Sequence, residues 1–375
     1  MYAVTRCHGP LGALLFASTL LPPALGAQDS ITTLQFRAFI DAYVAYDVPP
    51  PPLSRRAFAG GAAFTAQATK HADPNVNLAL IDARLQRPRV RARVALQAGT
   101  AVHARRLTDP QAGGDAVAAA ARHIHEATAG VRVAAPLWID AGFYPSHLGM
   151  EGWISSENLT YTRSLLAEYA PIQAAGLRLT WSPRQWADAQ LHVVNGWTPT
   201  GERSGDAGAG LRLDLRPHAN LELSGFNLLA SQPDGRLRTL HGFGARALYE
   251  RLEWMVEADI GSQANSSPFG RAAHWWGYAI AGRARITTAA SLSARFERFD
   301  DDKQIVLRTG EFGGSANPPF RGYSQSLGVD LRAGARTLWR TELRAFQNSG
   351  SVFPATLAEA GKTHWFAVSS LSAWF

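Results

Sequence analysis

Apolar residues in this chain recur at every second position with polar or small residues between them, the pattern of strands with two unlike faces. Leu252, Trp254, Val256, Ala258 and Ile260 fall on one face, with Glu253, Glu257 and Asp259 on the other. Leu211, Leu213 and Leu215 alternate with Arg212, Asp214 and Arg216. Val90, Ala92, Val94, Leu96 and Ala98 alternate with Arg89, Arg91, Arg93, Gln97 and Gly99. A helix would spread those arginines around its circumference, whereas a strand gathers them on one side.

Carried along the chain, the alternation predicts about sixteen strands. They lie near 36–46, 76–86, 90–103, 123–134, 137–144, 173–181, 186–196, 207–216, 219–229, 238–249, 252–261, 274–286, 289–299, 323–333, 338–347 and 364–375. Most run to about ten residues, the length a tilted strand needs to cross hydrocarbon. The ladders over 123–134 and 219–229 are broken, and a faint signal per strand is expected of transmembrane barrels. Short turns such as 86–89, 135–136, 182–185, 217–218, 250–251, 287–288 and 334–337 alternate with longer connections. The longer ones include 47–75, 104–122, 145–172, 197–206, 262–273, 300–322 and 348–363. That regularity predicts an all-β fold, a transmembrane antiparallel up-and-down β-barrel with short periplasmic turns and long external loops. An even strand count puts both termini on the periplasmic side.

Hydrocarbon leaves no backbone N–H or C=O without a protein partner, so such a sheet must close. The outward ladders then face lipid, the charged faces meet water, and about sixteen strands leave an aqueous bore. Trp138, Trp181, Trp186, Trp254, Trp339 and Phe375 fall beside predicted short turns, and Trp197, Trp275 and Trp276 at the opposite strand ends. Two interfacial aromatic girdles are the expectation. A soluble sandwich or propeller would also alternate, but no blade-length repeat is present.

Composition narrows the picture. The 375 residues include 34 Gly, 11 Trp and only 3 Met, with a net charge of +7 from scattered residues. A nucleic-acid binder would gather its basic residues on one face. Leu11 to Leu21 is the longest apolar run, preceded by Arg6 and His8 and followed by Gly26-Ala27. Basic, apolar and small-residue segments in that order read as a secretory signal peptide over 1–27, leaving 28–375 as a single transmembrane barrel domain. The sole cysteine, Cys7, lies within that signal, so neither disulfides nor a cysteine-ligated metal are expected.

Candidate catalytic motifs fail on spacing. Gly361-Lys362-Thr363 lacks the first glycine of a phosphate loop, because Thr356 stands there. His125-Glu126 lacks its second histidine, with Ala129 in that place. Gly314-Ser315-Ala316 lacks the second glycine of a nucleophile elbow. No catalytic residue, metal or cofactor is predicted.

The sequence resembles a known family. Ala38-Phe39-Ile40-Asp41-Ala42-Tyr43, Val90 to Thr100, Ile124-His125-Glu126-Ala127 and Leu137 to Gly142 are similar to the first third of the porin-2-type outer-membrane β-barrel porins. More specific are Pro145-Ser146-His147-Leu148-Gly149, Thr162 to Glu168 and Val194-Asn195-Gly196-Trp197. The resemblance spans most of the mature chain, is strongest over 36–200, and implies an outer-membrane pore with no known substrate. The run Pro49 to Pro52 departs from the family and leaves the shape of the first loop open. The terminal segment, with Leu371, Ala373 and Phe375, resembles the signal by which barrels reach the barrel-assembly machinery.

By analogy with other sixteen-stranded porins, 145–172 is expected to fold inward and narrow the bore, carrying Glu151, Glu157, Arg163 and Glu168. Arg37, Arg84, Arg91, Arg93 and Arg132 are the inward arginines expected to oppose them. Opposed rings would orient polar solutes; alternatively, these arginines pair with Asp41, Asp82, Glu126 and Asp140 and merely satisfy the wall. Lumen charges come out nearly balanced, so only a slight anion bias follows from the net charge. The reading is passive diffusion of ions and small hydrophilic solutes, without enzymatic activity. Expected partners are membrane lipids, lipopolysaccharide, the assembly machinery and the solutes themselves; a homotrimer is left open. The alternatives are an outer-membrane lipid hydrolase, for which Ser146, His147, Ser164 and His192 could supply atoms, and an adhesive barrel.

Overall fold

The computed structural model describes residues 32–375 except 53, 59–62, 109–119, 199–206, 233, 267–269, 313–314 and 357–358. The predicted signal peptide lies outside the described residues. Strands β1 (Thr33–Val48), β2 (Asn75–Gln86), β3 (Val90–Ala98), β4 (Ile124–Ala134), β5 (Leu137–Pro145) and β6 (Gln173–Arg184) begin the barrel. They are followed by β7 (Ala187–Val194), β8 (Gly208–His218), β9 (Leu221–Ser231), β10 (Leu237–Tyr249), β11 (Leu252–Gln263), β12 (Ala273–Arg285) and β13 (Ala290–Asp301). After a two-residue hairpin, β14 (Glu311–Phe312) and β15 (Ser315–Ala316), come β16 (Phe320–Arg332) and β17 (Thr337–Asn348). A second small hairpin, β18 (Phe353–Pro354) and β19 (Ala360–Gly361), precedes β20 (Thr363–Trp374).

Sixteen of these strands form one closed barrel, each hydrogen-bonded to its sequence neighbour and β20 to β1. Closure is antiparallel, with Phe39 opposite Trp374 and Val48 opposite Trp365. Both sheet edges therefore disappear, as hydrocarbon demands. Alternation sorts the side chains as the pattern requires. Val94 is 52% exposed on the outer face, whereas Asp82, its diagonal neighbour across the β2–β3 ladder, is 1% exposed on the inner face.

Two expectations are corrected. The third strand stops at Ala98 rather than 103: Gly99 takes a φ of +129°, where an added Cβ would collide with the Asn77 carbonyl, and helix α1 (Thr100–Thr108) follows. The β9–β10 connection, 232–236, is short for its end of the barrel but still exceeds its neighbours 219–220 and 250–251, so long and short connections alternate throughout. The aromatic girdle is incomplete. Trp181, Trp186, Trp339, Trp276 and Phe375 face outward, but Trp197 and Trp275 are buried inside and Trp138 lies beneath the Arg91 guanidinium in the lumen.

The end with the longer loops is partly filled. The proline-rich first loop turns inward, burying Phe58 and Phe64 against Phe353, with ring centroids 4.3 to 5.8 Å apart. Arg56 of that loop is fully buried, ion-paired to Asp47 of β1 and stacked 3.5 Å over the Phe366 ring. Ala101, Val102 and Ala104 of α1 pack beside Leu78, Leu80 and Trp153.

Candidate functional site

The segment between β5 and β6 enters the barrel and crosses to its far wall. It is a chain of small, hydroxyl-bearing and apolar residues, able to pack closely while offering many backbone groups. Gly149, at φ +78°, makes the entry bend against the Glu257 carboxylate. A 3₁₀ turn follows at Ser155–Glu157, then helix α2 (Leu165–Tyr169), whose N-cap Ser164 accepts from the Ala167 N–H.

Wall side chains satisfy this buried backbone. Arg340 of β17 donates to the carbonyls of Ser155 (2.6 Å), Leu159 (3.0 Å) and Asn158 (3.3 Å). Arg283 of β12 donates to the same Asn158 and Leu159 carbonyls. Glu342 accepts from the Thr162 N–H and hydroxyl at 2.7 and 2.8 Å. Arg295 and Arg344 donate to Thr162 and Arg163, while Glu297 accepts from the Leu165 N–H. At the entry, Arg212 of β8 donates to the His147 and Gly149 carbonyls, and Glu257 accepts from the Met150 N–H. Ser155 donates to Asp41 of β1 at 2.9 Å. Bonds between ionised side chains and buried amides are the stronger class, roughly 1.5–3 kcal/mol each. These contacts come from β1, β8, β11, β12, β13 and β17, so the loop spans the bore as a chord.

The candidate residues separate into two groups. Glu151, Arg163 and Glu168 are 9%, 3% and 1% exposed. Arg163 pairs with Glu168 at 2.8 Å, and Glu151 lies 3.6 Å from Arg295. Burial pushes the Glu168 carboxyl up, opposed by Arg163. Glu168 is therefore not part of a water-facing acidic ring; its place is in the loop's attachment.

Glu157 is exposed, and so are Arg37 and Arg132, with Arg84, Arg91 and Arg93 half-buried. Partial desolvation raises the Glu157 carboxyl, while Arg93, Arg84, Arg37 and Arg246 pull it back toward ionisation, and it lines one cavity with Arg93 of β3. Arg132 donates to the Ala135 carbonyl at the short turn, away from this group.

On the β2–β6 wall the acids lie beneath the bases. Asp82 accepts from Arg84 (2.8 Å) and Arg93 (2.9 Å), Glu126 from Arg93, and Asp140 from Arg91 and Arg178 (3.2 Å). The three carboxylate side chains are 2–5% exposed, whereas these arginines are 20–35% exposed. A cavity of about 230 Å³ lies between the loop's two arms and β3, with Arg93, Trp153, Glu157 and Arg163 in its lining.

Sequence reading missed Arg178 and the anchoring residues Arg283, Arg295, Glu297, Arg340, Glu342 and Arg344. Their signal was present, since period two places each on the inner face. The hydrolase candidates do not assemble as a nucleophile and base. His147 stacks on His192 at 3.9 Å and faces the Asn227 carbonyl, 2.7 Å away. Ser164 caps α2, and no hydrogen bond joins these serines to these histidines among the described residues.

Comparison with known proteins places this architecture. The family model described as "Putative beta-barrel porin-2, OmpL-like" matches residues 33–371. No curated protein matches by sequence. Among solved structures, the anion-selective porin from Comamonas acidovorans has a TM-score of 0.59 at 9% identity, covering 92% of this chain and 100% of that one. The outer-membrane channel DcaP of Acinetobacter baumannii has a TM-score of 0.57 at 8% identity, covering 92% and 97%. Salmonella typhi OmpF, in complex with daunomycin, has a TM-score of 0.55 at 9% identity, covering 91% and 97%. At these identities the likeness is one of fold.

Proposed function

This chain belongs to the β-barrel porin-2 family of outer-membrane porins, and from that premise we propose where solutes cross it. The passage runs between the exposed Glu157 of the inward loop and the arginines of β1 to β6, and solutes cross by passive diffusion. One observation carries the reading. The loop is fastened to β11–β13, β17 and β1, while the arginines on the β2–β6 side keep part of their surface in the lumen. The narrowing element thus occupies one side of the bore and leaves the other open.

The finer parts of the reading follow the same logic. The first 27 residues are a cleaved signal, and both ends of the barrel chain face the periplasm, at the end with the short turns. Phe375, Ala373 and Leu371 act as the assembly signal; Phe375 and Leu371 are 68% and 54% exposed on the outer surface, open to a docking strand. Lipids and lipopolysaccharide meet the outer face. Family membership is compatible with a homotrimer, which the mass of the detergent-extracted protein decides.

Purified mature protein added to a planar lipid bilayer should give stepwise, ohmic current increments. A bilayer that stays sealed, with esterase activity in the same preparation, would overturn the diffusion reading and favour a lipid hydrolase.

A further inference from the structure

Burying acids beneath bases decides which charge a passing solute meets. Five guanidinium groups, those of Arg37, Arg84, Arg91, Arg93 and Arg178, share this wall with three carboxylates, those of Asp82, Glu126 and Asp140. A buried carboxylate still neutralises its neighbours at a distance but offers no surface to a cation. Asp82 and Asp140 direct their acceptors at arginine, while Glu126 accepts from Arg93 and from the Thr128 hydroxyl. The guanidinium groups, by contrast, retain free donors. Among the described residues Arg37 has no ion-pair partner, Arg84 and Arg91 each leave Nη1 without an acceptor, and Arg178 leaves both Nη1 and Nη2.

Their placement runs against local electrostatics. Arg84 and Arg93 are direct partners across the β2–β3 ladder, where like charges oppose each other. Asp82 accepts from both and holds them together. A wall built only for stability would have alternated signs at that rung. Arg178 and Arg91 converge on Asp140 from two different strands, again two bases on one acid.

We propose that this arginine track is an oxyanion-selective path: small carboxylates and inorganic phosphate pass along Arg37, Arg84, Arg93, Arg91 and Arg178, exchanging guanidinium contacts as they go. The inference rests on the diffusion-pore reading. Guanidinium forks match carboxylate and phosphate geometry better than they match chloride. Because Arg84, Arg91, Arg93 and Arg178 already share their charge with buried acids, an oxyanion is held weakly enough to leave. Passage requires that balance. Glu157, exposed across the gap, faces this track and limits its anion preference.

The test uses the full mature protein in planar bilayers under a potassium chloride gradient. The reversal potential should show anion preference in the wild type. R37Q/R84Q should lower the chloride-to-potassium permeability ratio by about fourfold, since a unit charge several ångströms from the ion path, screened by salt, shifts the local anion-to-cation ratio by about twofold. This variant leaves Arg93 on Asp82, so the wall keeps its buried pair. E157Q should raise the ratio by about twofold, in a channel whose wall is untouched. Added inorganic phosphate or acetate should depress chloride current in the wild type at concentrations that leave R37Q/R84Q unaffected. Suppression by phosphate alone would narrow the class to phosphate.

Cation preference in the wild type would overturn the proposal. So would R37Q/R84Q channels of normal conductance and unchanged selectivity. Absence of any channel would sink the diffusion-pore reading itself, and this inference with it.

Discussion

Arg283, Asp330 and Arg340 allow the inward loop to be loosened without altering a single loop residue. The two arginines supply five hydrogen bonds to the carbonyls of Ser155, Asn158 and Leu159, and both also pair with Asp330, at 3.3 and 2.9 Å. Removing only the arginines would strand a buried carboxylate and confuse the result. The informative variant is therefore R283A/D330N/R340A. Lumen water would refill the vacated space and rehydrate the three carbonyls, so the loss is the net value of each bond rather than the cost of orphaned acceptors. Because bonds sharing an oxygen do not add, about 3–6 kcal/mol of docking free energy should disappear. A loss of about 4 kcal/mol shifts the docked-to-undocked ratio by roughly a thousandfold. The contacts at Thr162 and Leu165 remain, so the 3₁₀ turn should lift while α2 stays. Single-channel recordings should show increased open-channel noise and excursions above the main conductance level. Retarded migration on boiling, as in the wild type, would verify that the barrel is folded. Wild-type conductance and noise from a folded variant would refute the claim that these wall arginines hold the loop.

Other predictions concern the loop's entry, the wall and the terminus. Burial pushes the His147 imidazole down to about 4 from its ordinary 6.5; the Asn227 carbonyl opposes this and Arg212 adds to it. A base with a depressed folded value is neutral when docked, so its docking is complete above pH 6.5 and is lost as pH falls toward 4. Channel noise should therefore rise between pH 7 and pH 5 in the wild type; H147Q should flatten the dependence, and an unflattened profile would assign it to another group. Gly142 and Gly176 oppose each other in β5 and β6 at φ of +136° and +150°, each where a Cβ would collide with a carbonyl across the ladder. G176A should destabilise the barrel by about 1–3 kcal/mol, read as a lower urea midpoint; an unchanged midpoint would show that the wall yields there. Deletion of Phe375 should cut the amount of heat-modifiable barrel in outer-membrane fractions several-fold, with unfolded chain accumulating. Equal amounts of folded barrel would remove the terminal residue from the assembly signal.

The barrel was legible because its wall obeys one rule throughout: a side chain faces lipid or lumen according to parity. Even a strand as diluted as 219–229 keeps Phe226 and Leu228 inside and Leu229 outside. The helix at 100–108 was not legible, because Ala101, Val102 and His103 continue an extended pattern on paper. The turn at Gly99 is a backbone event with no side-chain signal. The inner face held a second difficulty. Parity shows that Arg91 and Asp140 both point inward, but depth is a matter of side-chain length and partner, so the carboxylates beneath and the guanidinium groups above could not be read from spacing. The aromatic positions failed for a related reason. Trp138, Trp197 and Trp275 lie near strand ends, yet parity or loop geometry turns each inward, where a cation or an aromatic neighbour covers it. The inward loop is expected by analogy with other sixteen-stranded porins, whereas its anchors are paired by tertiary contacts across the bore that spacing does not reveal. They come mostly from the late strands.

That division along the chain has a consequence for biogenesis. Ser155 waits for Arg340, 185 positions downstream, and Leu165 for Glu297, 132 downstream. A partly inserted barrel has a complete β5–β6 hairpin but, for the segment between them, the Ser155–Asp41 bond and none of the anchors from β12, β13 and β17. Maturation of the aperture is thus coupled to completion of the wall, and any intermediate released early would be a leaky one.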